Sequence, residues 1–188
     1  MSRLSSIGKQ YFLVVFGILL FLCYLNGLGN NNGYVLAVAV LGVFVAAYYI
    51  ANGLLAILFP GKLPDKLKNI FAVVDVIAYP AFFFVTILLA VIVNYDIMGP
   101  TGWIIAVISM FSSLGYATSY ALRKFLNLEK IGLITNILGG LFLLSLLLNV
   151  LFEMNGNPVS LGDLNIIVII TYAVYVFVLY LVYSKTEA

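Results

Sequence analysis

Histidine is absent from this sequence of 188 residues, and cysteine occurs once, as Cys23. Histidine is the commonest ligand for zinc, copper and haem iron in proteins, so its absence argues against metal or redox catalysis. A single cysteine excludes an intrachain disulfide. We expect Cys23 to act as a small apolar side chain inside an apolar segment, and we expect the chain to use no cofactor and no metal.

Charged residues are also scarce, at 9% of the chain, whereas 64% of the residues are hydrophobic. The mean hydropathy is +1.18. A soluble domain carries about 25% charged residues on average, so this chain cannot cover itself with a water-compatible surface. The composition predicts an integral membrane protein whose surroundings are the lipid bilayer. It leaves no room for a soluble catalytic module or for one that binds nucleic acid.

Six apolar segments are long enough to cross a hydrocarbon core of about 30 Å as helices. They cover residues 10–28, 34–58, 70–94, 101–122, 131–152 and 164–183. Glycine, asparagine, proline and aspartate separate several of them, as is typical of turns. We therefore predict an all-α, polytopic membrane protein. It would form a single domain over residues 1–188, a six-transmembrane-helix bundle built of three hairpins.

The basic residues indicate the orientation of this bundle, because Lys and Arg concentrate in cytoplasmic loops. All of them fall in the N-terminus, the second and fourth connections, and the C-terminus: Arg3, Lys9, Lys62, Lys66, Lys68, Arg123, Lys124, Lys130 and Lys185. This pattern predicts that the N- and C-termini are both cytoplasmic. The chain also lacks acceptor motifs for N-glycosylation, prenylation and myristoylation, which favours a bacterial or archaeal cell membrane.

Asp75 is the one acidic residue that lies within a predicted span. A carboxylate in the membrane is costly and is expected to face the interior of the bundle, where it can contact a cation, a proton or a solute. A second interpretation stays open. Asp75 could lie close enough to the cytoplasm to be hydrated, or it could pair with Lys68 or Lys130.

Other polar residues are predicted to reach the same depth as Asp75. Tyr79 and Thr86 share its helix face, and neighbouring spans contribute Asn52, Tyr116, Ser119, Thr135 and Asn136. Together they predict a polar layer in the inner third of the bundle. The residues expected to bind a substrate or an ion are Asp75, Tyr79, Asn52, Tyr116, Ser119 and Asn136.

The fourth span carries a polar stripe, since Ser109, Ser113, Tyr116 and Tyr120 lie within about 60° of one another on a helix. Ser112 and Ser119 flank the stripe. Such a stripe could line a pathway, or it could form a close helix–helix contact through small residues and hydroxyl hydrogen bonds. Of these two interpretations we favour the contact. In the fifth span, Asn136 with Gly139 and Gly140 could mark a locally unwound segment or could only admit a neighbouring backbone.

Enzyme classes find little support in this sequence. An aspartyl mechanism needs two carboxylates at one site, whereas only Asp75 lies within a span. A serine mechanism needs a base beside the nucleophile, and no histidine is available. We expect a small multi-pass transport or channel protein with an inward-opening polar cavity around Asp75. The alternative is a non-catalytic subunit or scaffold that packs laterally against a partner membrane protein, whereas a self-contained monomer or homo-oligomer would favour transport.

Overall fold

The computed structural model describes residues 2–60, 62–154 and 170. All regular secondary structure among these residues is helical, as the sequence predicts. The helices are α1 (Ser2–Leu25), α2 (Gly33–Leu58), α3 (Asp65–Val93), α4 (Pro100–Phe125) and α5 (Gly132–Met154). Short 3₁₀ turns at Asn26–Gly29 and Glu129–Ile131 follow α1 and precede α5.

Five helices are long and apolar enough to cross a membrane, at 21 to 29 residues each. They correspond to the first five predicted spans, so the structure confirms a helical protein with several helices suited to spanning a membrane. Of the sixth predicted span, residues 164–183, only Ile170 is among the described residues. The rest of that prediction lies outside them.

Local sequence explains where two of these helices begin. The side chain of Asn32 accepts a hydrogen bond from the backbone N–H of Tyr34 at 2.9 Å, which caps the first turn of α2. Pro100 is the first residue of α4. Proline suits this position because the backbone N–H of a residue in the first turn makes no hydrogen bond within the helix. Both residues interrupt the apolar pattern in the sequence, so the predicted boundaries at these two points agree closely with the structure.

The described residues divide into two compact units, which we call the first unit (residues 2–71 and Ile170) and the second unit (residues 72–154). In the first unit α1 and α2 pack antiparallel at close range. A Cβ atom placed on Gly17 would lie 2.8 Å from Ile50 Cγ1, and one on Gly53 would lie 2.6 Å from Val14 Cγ2. Glycine at these positions therefore lets the two backbones approach, as small residues commonly do in membranes.

Large side chains fill the rest of the α1–α2 contact. The rings of Phe16 and Tyr49 meet edge to face, with centroids 5.2 Å apart, and both side chains are fully buried. Near the other end of the pair, the ring of Tyr24 lies directly against Gly42. Complementary shapes thus contribute to the contact between these two helices.

The second unit consists of α3 from Ala72 onward, α4 and α5. Phe83 of α3 meets Phe142 of α5 edge to face at 5.7 Å, and both are buried. α3 continues as a helix through Pro80. The outward sides of the helices are strongly apolar: Phe111 is 75% exposed and Leu133 is 72% exposed. Surfaces of this kind suit contact with lipid tails and not with water.

Candidate functional site

Asp75 lies on the buried side of α3 in the second unit. Only 3% of the residue is exposed, and the same is true of Tyr79 one turn further along the helix. Thr86 is also buried, and its hydroxyl donates to the carbonyl oxygen of Phe82 at 3.0 Å. The predicted inward face of this span is therefore correct for all three residues. It places a carboxyl group, a phenol and a hydroxyl on one buried face of a spanning helix.

An aromatic layer connects Tyr79 to the other predicted tyrosine, Tyr116. The Tyr79 ring lies 6.4 Å from the ring of Phe83, which in turn contacts Phe142. Phe142 stacks on Tyr116 at 6.0 Å, with an interplanar angle of 18°. Aromatic pairs of this geometry each contribute about 0.5–1.5 kcal/mol beyond area burial. The four rings therefore form a largely apolar layer between α3, α4 and α5.

Ser119 and Thr135 are both buried, but each hydroxyl is bonded to its own helix. Ser119 Oγ donates to the carbonyl oxygen of Tyr116 at 3.2 Å, and Thr135 Oγ1 donates to that of Ile131 at 3.0 Å. Hydroxyls that bond back to the preceding turn need no partner from another helix. The oxygen atoms of both hydroxyls can still accept hydrogen bonds inside the second unit.

Asn136 does not join the buried residues. Its side chain is exposed, although that of the preceding Thr135 is buried. Successive residues on a helix point about 100° apart, so only one of this pair can face inward. The buried face of α5 continues through Gly139, where an added Cβ would lie 3.0 Å from the Tyr116 ring. Gly140 has open space around it, and α5 remains helical at both glycines.

Asn52 is buried within α2, at 7% exposure, and it belongs to the first unit. The other predicted residues, from Asp75 to Asn136, lie in the second unit. The structure thus brings Tyr79 and Tyr116 into one layer and places Asp75 and Ser119 on buried faces of α3 and α4. It leaves Asn136 on the outside of α5.

Hydrogen bonds across the α4–α5 interface define a further polar cluster, which we call the serine–asparagine cluster: Ser109, Ser112, Ser145 and Asn149. Ser112 Oγ donates to Ser145 Oγ at 3.3 Å, and Asn149 Nδ2 donates to Ser109 Oγ at 2.7 Å. Exposure within the cluster is at most 5%. These bonds support the interpretation of the α4 stripe as a helix–helix contact. Ser113 instead bonds to the carbonyl oxygen of Ser109 in its own helix, at 2.6 Å.

Ser145 and Asn149 were not among the residues predicted from the sequence, although the sequence contains a signal for them. They are four residues apart within a run of leucines, so they share one face of α5. Two polar residues on one face of an otherwise apolar span indicate a polar partner on another helix. The polar stripe of α4 is this partner.

Within the described part of the chain, no group of three or more Cys, Asp or Glu side chains could hold a metal ion. Two ion pairs lie at helix ends. Lys68 pairs with Asp65 at 3.0 Å, and Arg123 pairs with Glu129 at 3.0 Å. The chain matches no protein family model, and neither curated proteins nor solved structures include a significant match to it.

Proposed function

We propose that this protein is a small membrane transport or channel protein in which Asp75 contacts a cation, a proton or a small polar solute. The burial of Asp75 is the observation that carries the proposal. A carboxyl group costs about 2.5–3.5 kcal/mol at the centre of a spanning helix on insertion scales. Asp75 is nevertheless held at 3% exposure, on a helix whose mean hydropathy reaches 2.7. Intramembrane carboxyl groups in such positions commonly serve ion or solute pathways.

Buried polar groups of the second unit suit this role. Tyr79 lies one turn from Asp75 on the same helix face and can offer a phenolic O–H, and Ser119 and Thr135 are buried hydroxyl residues of the same unit. Because the Tyr79 ring belongs to the aromatic layer, this layer would restrict the passage of an ion or solute beyond the carboxyl group of Asp75. Transport would therefore require the rings of Phe83, Phe142 and Tyr116 to move. We assign no enzymatic activity to this set of residues.

We further propose a membrane topology for the whole chain. Six spans would cross a bacterial or archaeal cell membrane, with both termini in the cytoplasm and the polar residues near Asp75 open to that side. The inner connections are basic, with Lys62, Lys66 and Lys68 in one and Arg123, Lys124 and Lys130 in or beside the other. Charges of this sign are retained on the cytoplasmic side during insertion.

Flux through reconstituted protein tests the role of Asp75. Proteoliposomes would be loaded with a pH-sensitive dye, and proton entry would be driven by a potassium diffusion potential with valinomycin. Uptake of radioactive sodium and rubidium would be measured in parallel. We expect wild-type protein to carry at least one of these ions, and Asp75→Asn to reduce that flux at least tenfold, roughly 1.4 kcal/mol or more in barrier height.

Asp65→Asn is the matched control, because Asp65 lies on the same helix but its side chain is 94% exposed. It should transport as the wild type does. Circular dichroism and size-exclusion chromatography would establish that both variants are folded. An Asp75→Asn variant with the flux of the wild type would contradict the proposal, and a wild type without flux for any of these ions would contradict an ion-carrying role.

The exposed side chain of Asn136 favours a second candidate function, a scaffold that binds another membrane protein laterally. A polar amide on a lipid-facing surface is unfavourable unless another helix satisfies it, and Gly140 on the next turn leaves room for a close approach. Purification in a mild detergent separates the two candidates. Stoichiometric recovery with another membrane protein, lost in Asn136→Leu, favours the scaffold. Recovery of the chain alone, with flux, favours transport.

A further inference from the structure

Two buried hydrogen-bonding groups of the serine–asparagine cluster have no partner among the residues that the structure describes. Ser109 Oγ accepts a hydrogen bond from Asn149 Nδ2, but no acceptor for its own hydroxyl proton lies within reach among the described residues. The two N–H groups of Asn149 are used, since Nδ2 donates to Ser109 Oγ and to the carbonyl oxygen of Ser145, each at 2.7 Å. In the same part of the chain, no donor approaches Asn149 Oδ1.

Little of either residue is open to the surroundings of the protein. Ser109 is fully buried and Asn149 is 5% exposed. A buried polar group without a partner costs about 1–3 kcal/mol in proteins. A structure that buries one unpaired donor beside one unpaired acceptor is therefore expected to hold a small molecule that satisfies both.

The two unpaired groups are close enough for a single oxygen atom to bridge them. Asn149 Nδ2 lies 2.7 Å from Ser109 Oγ. Because Nδ2 and Oδ1 share one carbon atom, Oδ1 lies within about 5 Å of Ser109 Oγ. A bridging oxygen spans up to about 5.6 Å with two hydrogen bonds of ordinary length. We propose that the serine–asparagine cluster is a binding site for a water molecule, which accepts from the Ser109 hydroxyl and donates to Asn149 Oδ1.

The chemistry of the cluster favours water over an ion. All four side chains are neutral, and the Asn149 amide directs both of its N–H groups toward the oxygen atoms that a cation would need. An anion would find only one free donor. Buried waters in proteins typically make about 2–4 hydrogen bonds to groups that lack other partners, and this site offers one donor and one acceptor. The site does not depend on any transport function of Asp75.

Radiolytic footprinting of the full-length protein in detergent tests this site, because X-rays generate hydroxyl radicals from bound water without any reagent having to enter. Phe142 and Leu146 are the reporters, since they flank Ser145 on α5 and are each 1% exposed. Phe16 and Leu20 of α1 are the controls, being the same residue types at 0% exposure. We expect oxidation of the reporters to exceed that of the controls several-fold.

Two variants test whether the oxidation of Phe142 and Leu146 depends on the serine–asparagine cluster. Ser109→Ala removes the unpaired donor with little change in volume, and Asn149→Leu removes the unpaired acceptor. Both should reduce oxidation of Phe142 and Leu146 toward the level of Phe16 and Leu20, and ¹⁸O from labelled water should appear in the wild-type products. Equal oxidation of reporters and controls in the wild type would overturn the proposal. So would reporter oxidation that stays unchanged in folded Ser109→Ala protein.

Discussion

Asn149 and Ser109 are 40 positions apart in the chain, yet the amide nitrogen of the first lies 2.7 Å from the hydroxyl oxygen of the second. This bond joins the second half of α5 to the middle of α4, inside a region where both side chains are shielded from solvent. Such interhelical bonds are directional, whereas apolar contacts between helices in lipid are not. The bond therefore fixes the register of the α4–α5 pair.

Asn149→Leu should destabilise the protein modestly. Interhelical hydrogen bonds in membrane proteins contribute about 0.6 kcal/mol on average and up to about 1.7 kcal/mol. We expect a loss of about 1 kcal/mol in the free energy of unfolding, measured by denaturant titration in mixed micelles. Ser109→Ala should cost less in the Asn149→Leu background than in the wild type, because the shared bond is already gone. Asn136→Leu is the control: its side chain is exposed, and it should cause no loss.

Gly42→Ala should disturb the α1–α2 pair. An added Cβ atom would overlap the ring of Tyr24, which is itself buried. Overpacking of this kind costs about 1–3 kcal/mol, because a large ring must leave its preferred position. Thermal unfolding followed by circular dichroism would report the change. Gly140→Ala is the control, because a Cβ atom added at Gly140 would have open space around it. The unfolding temperature of this variant should stay level or rise.

Phe142→Ala should be the most damaging single change in the second unit. Its ring contacts both Phe83 and Tyr116, so truncation would remove two aromatic pairs and leave a cavity. Buried Phe→Ala substitutions cost about 3–5 kcal/mol. Phe111→Ala removes the same atoms from a side chain that is 75% exposed and should change stability little. Comparable losses in both variants would show that the aromatic layer does not support the fold.

Cysteine accessibility tests the orientation of the spans. In a Cys23→Ser background, Pro64→Cys and Leu126→Cys lie in the basic connections, and Asn31→Cys and Asp96→Cys lie in the opposite ones. All four positions are exposed. A membrane-impermeant maleimide added to intact cells should label only positions 31 and 96, because basic loops stay cytoplasmic. Labelling of position 64 or 126 would overturn the proposed topology.

The sequence alone was sufficient to determine the class of this protein and most of its helix boundaries. Apolar runs of about 20 residues have only one conformation that satisfies their backbone in lipid, so Asp65–Val93 and its neighbours had to be helices. Proline and asparagine marked several ends, as at Pro100 and Asn32. The inward face of α3 was also predictable, because Asp75, Tyr79 and Thr86 are its polar residues at helical spacing.

Only the tertiary structure decided which polar residues of the other spans meet. Thr135 and Asn136 are equally polar neighbours, yet one is buried and the other exposed. The pairing of Ser109 with Asn149 likewise depends on how α4 and α5 are rotated against each other. A helix that is apolar all round carries little amphipathic signal, so its sequence leaves its rotation about its own axis open. Packing of glycines against rings and hydrogen bonds between helices fix that rotation.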